Sequence, residues 1–498
     1  MNKCFRYCQY PCFFENLLKD FPAAAVVTPE GESLFIKYET LADIGTLPVV
    51  AQIAHQYLQL KDGEIVIAND PYSGGTILSS YTLIMGLSVN EKKYRANNPQ
   101  GAPADLLVVY RIAMKPRVIM AQSVDDEGIR IPPTPLYQPL APPHERLNQH
   151  ILSALCEHPL SHPELETVLG KAIEQLSRCG EQFKVMSEAL GFNWSKTTLK
   201  DYFKTSHRLM QDKIHEMALG ECQIDLPYDA TTTIKLRLEV TDGKVLFDFN
   251  GTDPSSILNL TDTATYGACV GAFLSSLDEK VPLNSGVFQV FDISAPTGAC
   301  VNAAYPKAVN LGMTDGASLI GNLVLRALSQ VDRSHDVALP GISQCSFEME
   351  FAYDRRFYET LSPGSPATKD HKGTKGLSMW RRYHLDRRIE MMEALYPITA
   401  LNYSFRPQSG GGGKYSGGDG EIKSLQVTEP AVLRWQLTMP LHGAEGAYGG
   451  KNGNPAEITV QRVGKKPEKL SAHGELNLEP GDVVSVKSAG GGGFGADA

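Results

Sequence analysis

Glu64-Ile-Val-Ile-Ala-Asn-Asp-Pro-Tyr-Ser-Gly-Gly-Thr76 is the stretch on which the reading of this chain turns. Ile65 to Ala68 is short, apolar and mostly β-branched, which predicts a buried strand over 64–68. Turn residues follow at once. Asn and Asp side chains bond nearby backbone amides, Pro presets φ, and Gly reaches conformations that other residues avoid. A turn-rich loop therefore hangs between two strand-like runs, and rigid strands commonly present binding groups on such loops. Asn69, Asp70, Tyr72, Gly74, Gly75 and Thr76 are the candidate binding residues. Turn formation explains them equally well, and no catalytic residue emerges.

Outward from this loop, residues 23–28 and 33–37 flank Pro29-Glu30-Gly31, a hairpin pattern, and 47–60 predicts a helix entered through Pro48. Prolines are dense from 132 to 143, which predicts an irregular surface crossing. Residues 163–190 and 196–219 carry the longest helical periodicity, the second with Leu199, Phe203, Leu209 and Ile214 as its buried stripe. Beyond Gly220 the period becomes two. Residues 231–240 and 244–250 flank Thr241-Asp242-Gly243, a second hairpin. An amphipathic helix is predicted over 313–331 and a strand over 340–353.

After Tyr396 the chain is β-like and rich in glycine, with Ser409-Gly-Gly-Gly-Gly413, Ser416-Gly-Gly-Asp-Gly420, Ala447-Tyr-Gly-Gly450 and Ala489-Gly-Gly-Gly-Gly-Phe-Gly495, read as turn and bulge residues. The expected class is α+β, a multi-unit mixed α/β protein over 1–220, 221–400 and 401–498 with a mostly β C-terminal part. At 498 residues the chain exceeds one ordinary core, although its units can share cores.

Apolar residues at 42% and charged ones at 21% are ordinary for a globular protein. The net charge of −9 and the lack of a basic stripe argue against nucleic acid. No run approaches the roughly 18 apolar residues of a membrane helix, and residues 1–14 lack a leader pattern, so the expected compartment is the cytoplasm. Nine cysteines, mostly without paired spacing, suit reduced thiols. Cys4, Cys8 and Cys12 are spaced three and three rather than three and two, with Pro11 at the last ligand position, so they read as part of a partly buried terminus rather than a cluster site.

Generic catalytic motifs fail. Around Gly413-Lys414 and Gly450-Lys451 both flanking requirements of a phosphate loop are missing. His144-Glu145 and His215-Glu216 lack the second histidine of a zinc protease, and Gly316-Ala-Ser318 lacks the closing glycine of a nucleophile elbow. His158 and His162 lie in a proline-bracketed stretch that reads as a solvated loop.

A resemblance adds to this. Ile67-Ala-Asn-Asp-Pro-Tyr-Ser-Gly-Gly-Thr76, Ile129-Arg-Ile-Pro-Pro133, Phe247-Asp-Phe-Asn-Gly-Thr252, Pro282-Leu-Asn-Ser-Gly286, the stretch from Arg406 to Gly420, and Leu478-Glu-Pro-Gly-Asp-Val-Val484 with the final glycines resemble, in order, the hydantoinase B/5-oxoprolinase family. The resemblance implies a subunit of an enzyme that opens cyclic amides such as 5-oxoproline and hydantoins at the expense of ATP, related to the large subunits of ketone carboxylases. It implies a hydantoinase A-type actin-like ATPase partner that carries the ATP, and a divalent metal. A homo-oligomer is a further possible assembly.

The metal is where the match fails. The resemblance implies ligands in a His-x-x-Asp after Gly-Gly-Thr, in a later His-His-Ala-Asp, and on the first hairpin. Here Ile77 and Ser80 stand at the first two positions, 109–117 holds no histidine, and the hairpin offers only Glu30. Isoleucine has no lone pair, and zinc-site affinities of roughly 10–16 kcal/mol need several donors acting together. The expectation is no metal or other cofactor in this chain, and an empty or apolar-lined cleft formed by Ile77, Ser80 and residues 113–115. Three readings follow: a degenerate hydrolase-type subunit; an active amidohydrolase or carboxylase subunit with a rearranged site built on Asp70, Glu30 and Lys115; and a non-catalytic binding or scaffold protein.

Overall fold

The hairpin expected around Pro29 closes between β1 (Ala23–Val27) and β2 (Ser33–Lys37) in a computed structural model of the chain. The structure describes residues 2–89, 101–114, 116, 118–255, 257–277, 279, 281–342, 345–380, 388–438 and 443–496, with side chains from residue 10 onward. β3 (Ile65–Ala68), β4 (Ser80–Leu87), β5 (Leu106–Ala113) and β6 (Thr134–Tyr137) complete a six-stranded sheet in the order β2-β1-β5-β4-β3-β6, every pair antiparallel. β6 lies within the proline-dense stretch expected to be irregular. As an edge strand it tolerates Pro135, whose missing N–H costs no inner ladder bond.

The central strands are apolar on both faces because both faces are covered. One face packs on α1 (Asn2–Leu17), α3 (Gln149–Cys156), α4 (Leu165–Leu190) and α5 (Lys196–His215), around Phe13, Phe14, Phe183 and Trp194. The α5 stripe is Leu199, Tyr202, Phe203, Ser206, Met210 and Ile214, so Leu209 lies half out of it, and the helix stops four residues before the predicted 219. The other face takes α2 (Ala42–Leu58), which starts five residues before its predicted 47 and contains Pro48. Its start is set by Asp43, whose carboxylate accepts the Glu39 amide at 2.9 Å and the Thr40 amide at 2.8 Å.

The second sheet, β10-β9-β8-β7, consists of β7 (Gly220–Pro227), β8 (Thr233–Thr241), β9 (Lys244–Asp248) and β10 (Phe291–Ser294). It shares a core with α6 (Asp262–Ser275), α8 (Ala317–Val331) and α2, the short α7 (Ser285–Phe288) lying beside it. α2 and α6 approach at small residues. A Cβ on Gly45 would lie 1.9 Å from the Thr263 carbonyl oxygen, and one on Gly267 2.5 Å from that of Leu41. The helix predicted from 313 begins as a π turn over Gly312–Gly316, where Gly312 runs against the Asn259 backbone; α8 proper follows.

The C-terminal part contains β11 (Ser346–Phe351), β12 (Arg355–Glu359), α9 (Ile389–Leu395), β13 (Ile398–Phe405), β14 (Glu421–Val427), β15 (Ala431–Gln436), β16 (Glu457–Gln461), β17 (Glu468–Lys469), β18 (His473–Leu478) and β19 (Val483–Lys487). They form the sheets β12-β11-β15-β18 and β13-β14-β19-β16-β17 around one core. The glycine runs have a different reason from the one expected. Most are not turn or bulge residues but points where bare backbones interlock. Gly411 donates to Gly491 at 2.8 Å, Gly491 to Gly418 at 3.0 Å and Gly493 to Lys451 at 3.0 Å, and a Cβ on Gly417 or Gly490 would fall 2.1 or 1.9 Å from a carbonyl oxygen.

Candidate functional site

The loop after β3 is built largely by its own side chains. Asp70 caps a single 3-10 turn over Pro71–Ser73, accepting the Tyr72 amide and the Ser73 hydroxyl, each at 3.0 Å. Asn69 is fully buried, donating to the carbonyls of Leu78 and Ile129 at 2.9 Å and accepting the Ile131 amide at 2.7 Å. It thus joins the loop to the chain that leads into β6. Gly74 turns the backbone at φ 82°, where a Cβ would lie 2.7 Å from the Val50 nitrogen in α2; a Cβ on Gly75 would lie 2.6 Å from the Asn69 carbonyl oxygen. Thr76 is buried. Tyr72 reaches out and donates to the Lys307 carbonyl at 2.6 Å. Burial, with the nearby Glu127 and Asp70 carboxylates, holds its phenol protonated far beyond the ordinary range.

The facing wall, residues 124–130 and 304–310, includes groups the sequence did not single out. The Arg130 guanidinium lies 4.6 Å from the Tyr305 ring centroid and 4.0 Å from both the Asp70 and Asp125 carboxylates. Tyr305 donates to Asp125 at 2.7 Å. Beneath them Glu127 is buried. Its Oε1 accepts the amides of Val309 at 2.9 Å and Asn310 at 2.8 Å, while its Oε2 and the Asn310 Oδ1 have no hydrogen-bond partner. Burial pushes the Glu127 carboxyl up to about 8; the two amides oppose the rise and Asp126 adds to it. Two clefts, one of 490 Å³ walled by Leu319, Asn322, Arg326 and Glu445 and one of 480 Å³ between α2 and α6, take no lining from residues 69–76.

The positions implied for a metal are filled by other chemistry. Ile77 belongs to the core shared with α2 and α6. The Ser80 hydroxyl accepts from Arg111 Nη1 at 3.3 Å, and Arg111 pairs with Glu39 at 2.8 Å and Asp43 at 2.5 Å. Burial opposes the Arg111 charge, but the Asp43 and Glu39 carboxylates outweigh it and hold its pKa above the ordinary value. The expected apolar lining is therefore corrected: the neighbourhood of Ser80 is a buried ion cluster. Glu30 lies apart in a surface pair with Lys196 at 2.9 Å, and Lys115 falls outside the described residues. Among the described residues no group of three or more His, Cys, Asp and Glu is placed to hold a metal. The donor set does not fit a divalent ion. Arg111, the charged residue of an otherwise apolar Leu106–Ala113, was the available signal for this cluster.

Other candidates resolve locally. The Nδ1 atoms of His158 and His162 accept backbone amides two residues on, and Ser318 donates to the Thr314 carbonyl, as residues serving turns and helices do. Cys12, Cys156, Cys179, Cys222, Cys269 and Cys300 are free thiols, and no described helix is long and apolar enough to cross a membrane.

The pattern of the family described as Hydantoinase B/oxoprolinase matches residues 17–497. An uncharacterized protein of Methanocaldococcus jannaschii is 28% identical over 91% of this chain and 79% of its own. The Arabidopsis thaliana 5-oxoprolinase 1 is 26% identical over 53% of this chain, a match spanning only 20% of that protein. The same fold occurs in the ATP-dependent caprolactamase from Pseudomonas jessenii, with a TM-score of 0.81, 16% identity and coverage of 99% of this chain and 91% of that one. The nucleotide-free acetone carboxylase superposes with a TM-score of 0.75 at 14% identity, covering 99% and 75%.

Proposed function

This chain belongs to the hydantoinase B/oxoprolinase family, and from that premise we propose that it is the hydrolase-type half of an ATP-dependent cyclic-amide system, degenerate in that it holds no catalytic metal. The carrying observation is the donor set: an apolar Ile77 in the core and a Ser80 bonded to a guanidinium. An amide carbonyl is a poor electrophile and neutral water a poor nucleophile, and a bound metal would address both. Here Ile77 offers no donor, and the nearby Glu39, Asp43 and Ser80 oxygens are engaged with the Arg111 guanidinium.

In this reading the loop of Asn69, Asp70, Tyr72, Gly74, Gly75 and Thr76, with Arg130 and Tyr305 against it, keeps a binding surface rather than a hydrolytic centre. The partner is a hydantoinase A-type actin-like ATPase subunit, which brings the ATP, and the compartment is the cytoplasm. The fold shared with an ATP-dependent caprolactamase and an ATP-dependent carboxylase supports the partner. The active alternative loses support because Asp70 is engaged in its own turn and Glu30 with Lys196.

The test is ATP-dependent ring opening of 5-oxoproline, hydantoin and caprolactam by the chain with its ATPase partner, alongside metal analysis of the purified chain. Partner binding without turnover is expected. Turnover at an enzyme-like rate would refute the reading.

A further inference from the structure

Arg111 sits in the middle of β5 with its guanidinium buried. A charge removed from water survives only where its partners are placed to meet it. Here they are. Nη2 donates to Glu39 Oε2 at 2.8 Å and to Asp43 Oδ2 at 3.0 Å, Nε lies 2.5 Å from Asp43 Oδ1, and Nη1 donates to Ser80 Oγ at 3.3 Å. Glu39, Asp43, Ser80 and Arg111 are each no more than 4% exposed.

Two of the acceptors are also held by contacts other than those to Arg111. Asp43 is held by the Glu39 and Thr40 amides at the head of α2, and Ser80 opens β4. Two carboxylates facing one guanidinium leave a formal charge of −1; Arg111 Nε and Asp43 Oδ1 meet as an ion pair at 2.5 Å without hydrogen-bond geometry, and Glu39 Oε1 has no hydrogen-bond partner. Acceptors arranged around the edge of a plane suit the fork of donors on a guanidinium. A small divalent ion instead needs oxygen donors gathered on all sides.

We propose that Glu39, Asp43 and Ser80 form an internal cation site specific for a planar guanidinium, that its occupant is the chain's own Arg111, and that this built-in charge excludes divalent metal from the head of α2. The exclusion rests on the metal-free reading above; the cage itself rests on geometry alone.

Arg111→Gly empties the cage. Its Tm should fall by roughly 5 °C, and millimolar ethylguanidinium should restore most of that fall, whereas ethylammonium or Mn²⁺ at the same concentration should not. Adding Asp43→Asn to Arg111→Gly should abolish the rescue. Equal rescue by ethylammonium, or rescue by Mn²⁺, would overturn the proposal. If Arg111→Gly does not fold, the unmodified chain decides: its Tm should be indifferent to millimolar Mn²⁺ or Zn²⁺. A saturating rise that vanishes in Glu39→Gln would overturn the exclusion. Neither measurement reads turnover, so a chain that proves active yet shows guanidinium rescue would sink the functional reading and leave the cage standing.

Discussion

Replacing Glu127 by Gln separates charge from hydrogen bonding at the wall behind the loop. Gln keeps a carbonyl oxygen to accept the Val309 and Asn310 amides, the roles Glu127 Oε1 fills at 2.9 and 2.8 Å, but cannot ionise. Burial raises the folded-state carboxyl from an ordinary 4.5 to about 8. Below 4.5 the group is protonated in both folded and unfolded chains and has no differential effect. Above it the unfolded chain ionises while the folded chain holds its proton, so stability is lost progressively as pH rises through 8 and levels off beyond. At about 1.4 kcal/mol per decade of proton affinity, the loss approaches 4–5 kcal/mol, and water entering the site would reduce it.

Melting curves of the two proteins from pH 5 to pH 9 test this. The midpoints should nearly coincide at the acid end and then diverge, with Glu127→Gln melting higher by several degrees at the alkaline end. Parallel profiles would refute the claim that burial keeps Glu127 protonated. A variant that fell progressively behind as pH rose would refute it more strongly, because that is the signature of a stabilising carboxylate.

Three further outcomes are expected. Asn69→Ala leaves the buried Leu78 carbonyl, the part-buried Ile129 carbonyl and the Ile131 amide without these partners and should cost about 2–4 kcal/mol in denaturant titration; Asn69→Asp should fare little better, since a carboxylate cannot donate to the Leu78 and Ile129 carbonyls. Gly45→Ala forces α2 from α6, because the new Cβ would lie 1.9 Å from the Thr263 oxygen, and a loss of about 1–3 kcal/mol or more should appear as a lowered denaturation midpoint. Tyr72→Phe removes the 2.6 Å bond to Lys307 and should cost about 0.5–1.5 kcal/mol while speeding amide hydrogen exchange in residues 70–76.

By itself the sequence determined the local alternation of strand, turn and helix. The first hairpin, β3, α4 and the 241–243 turn lie where apolar periodicity and turn residues placed them, because those signals act over a few neighbouring residues. The family was also legible, since its phrases survive in order. Tertiary structure decided the rest. Pro48 looked like a helix entrance, yet α2 begins a turn earlier, where the Asp43 carboxylate reaches back to the Glu39 and Thr40 amides; the Thr40-x-x-Asp43 spacing was a signal for this, and the tertiary fold shows that it is used. Glycines that read as turns are where separate backbones interlock. Ser80 looked like a lost ligand in an apolar cleft, but its surroundings were set by Arg111, 31 residues away. Electrostatics inside a protein depends on distance through space and on burial, and one-dimensional order records neither.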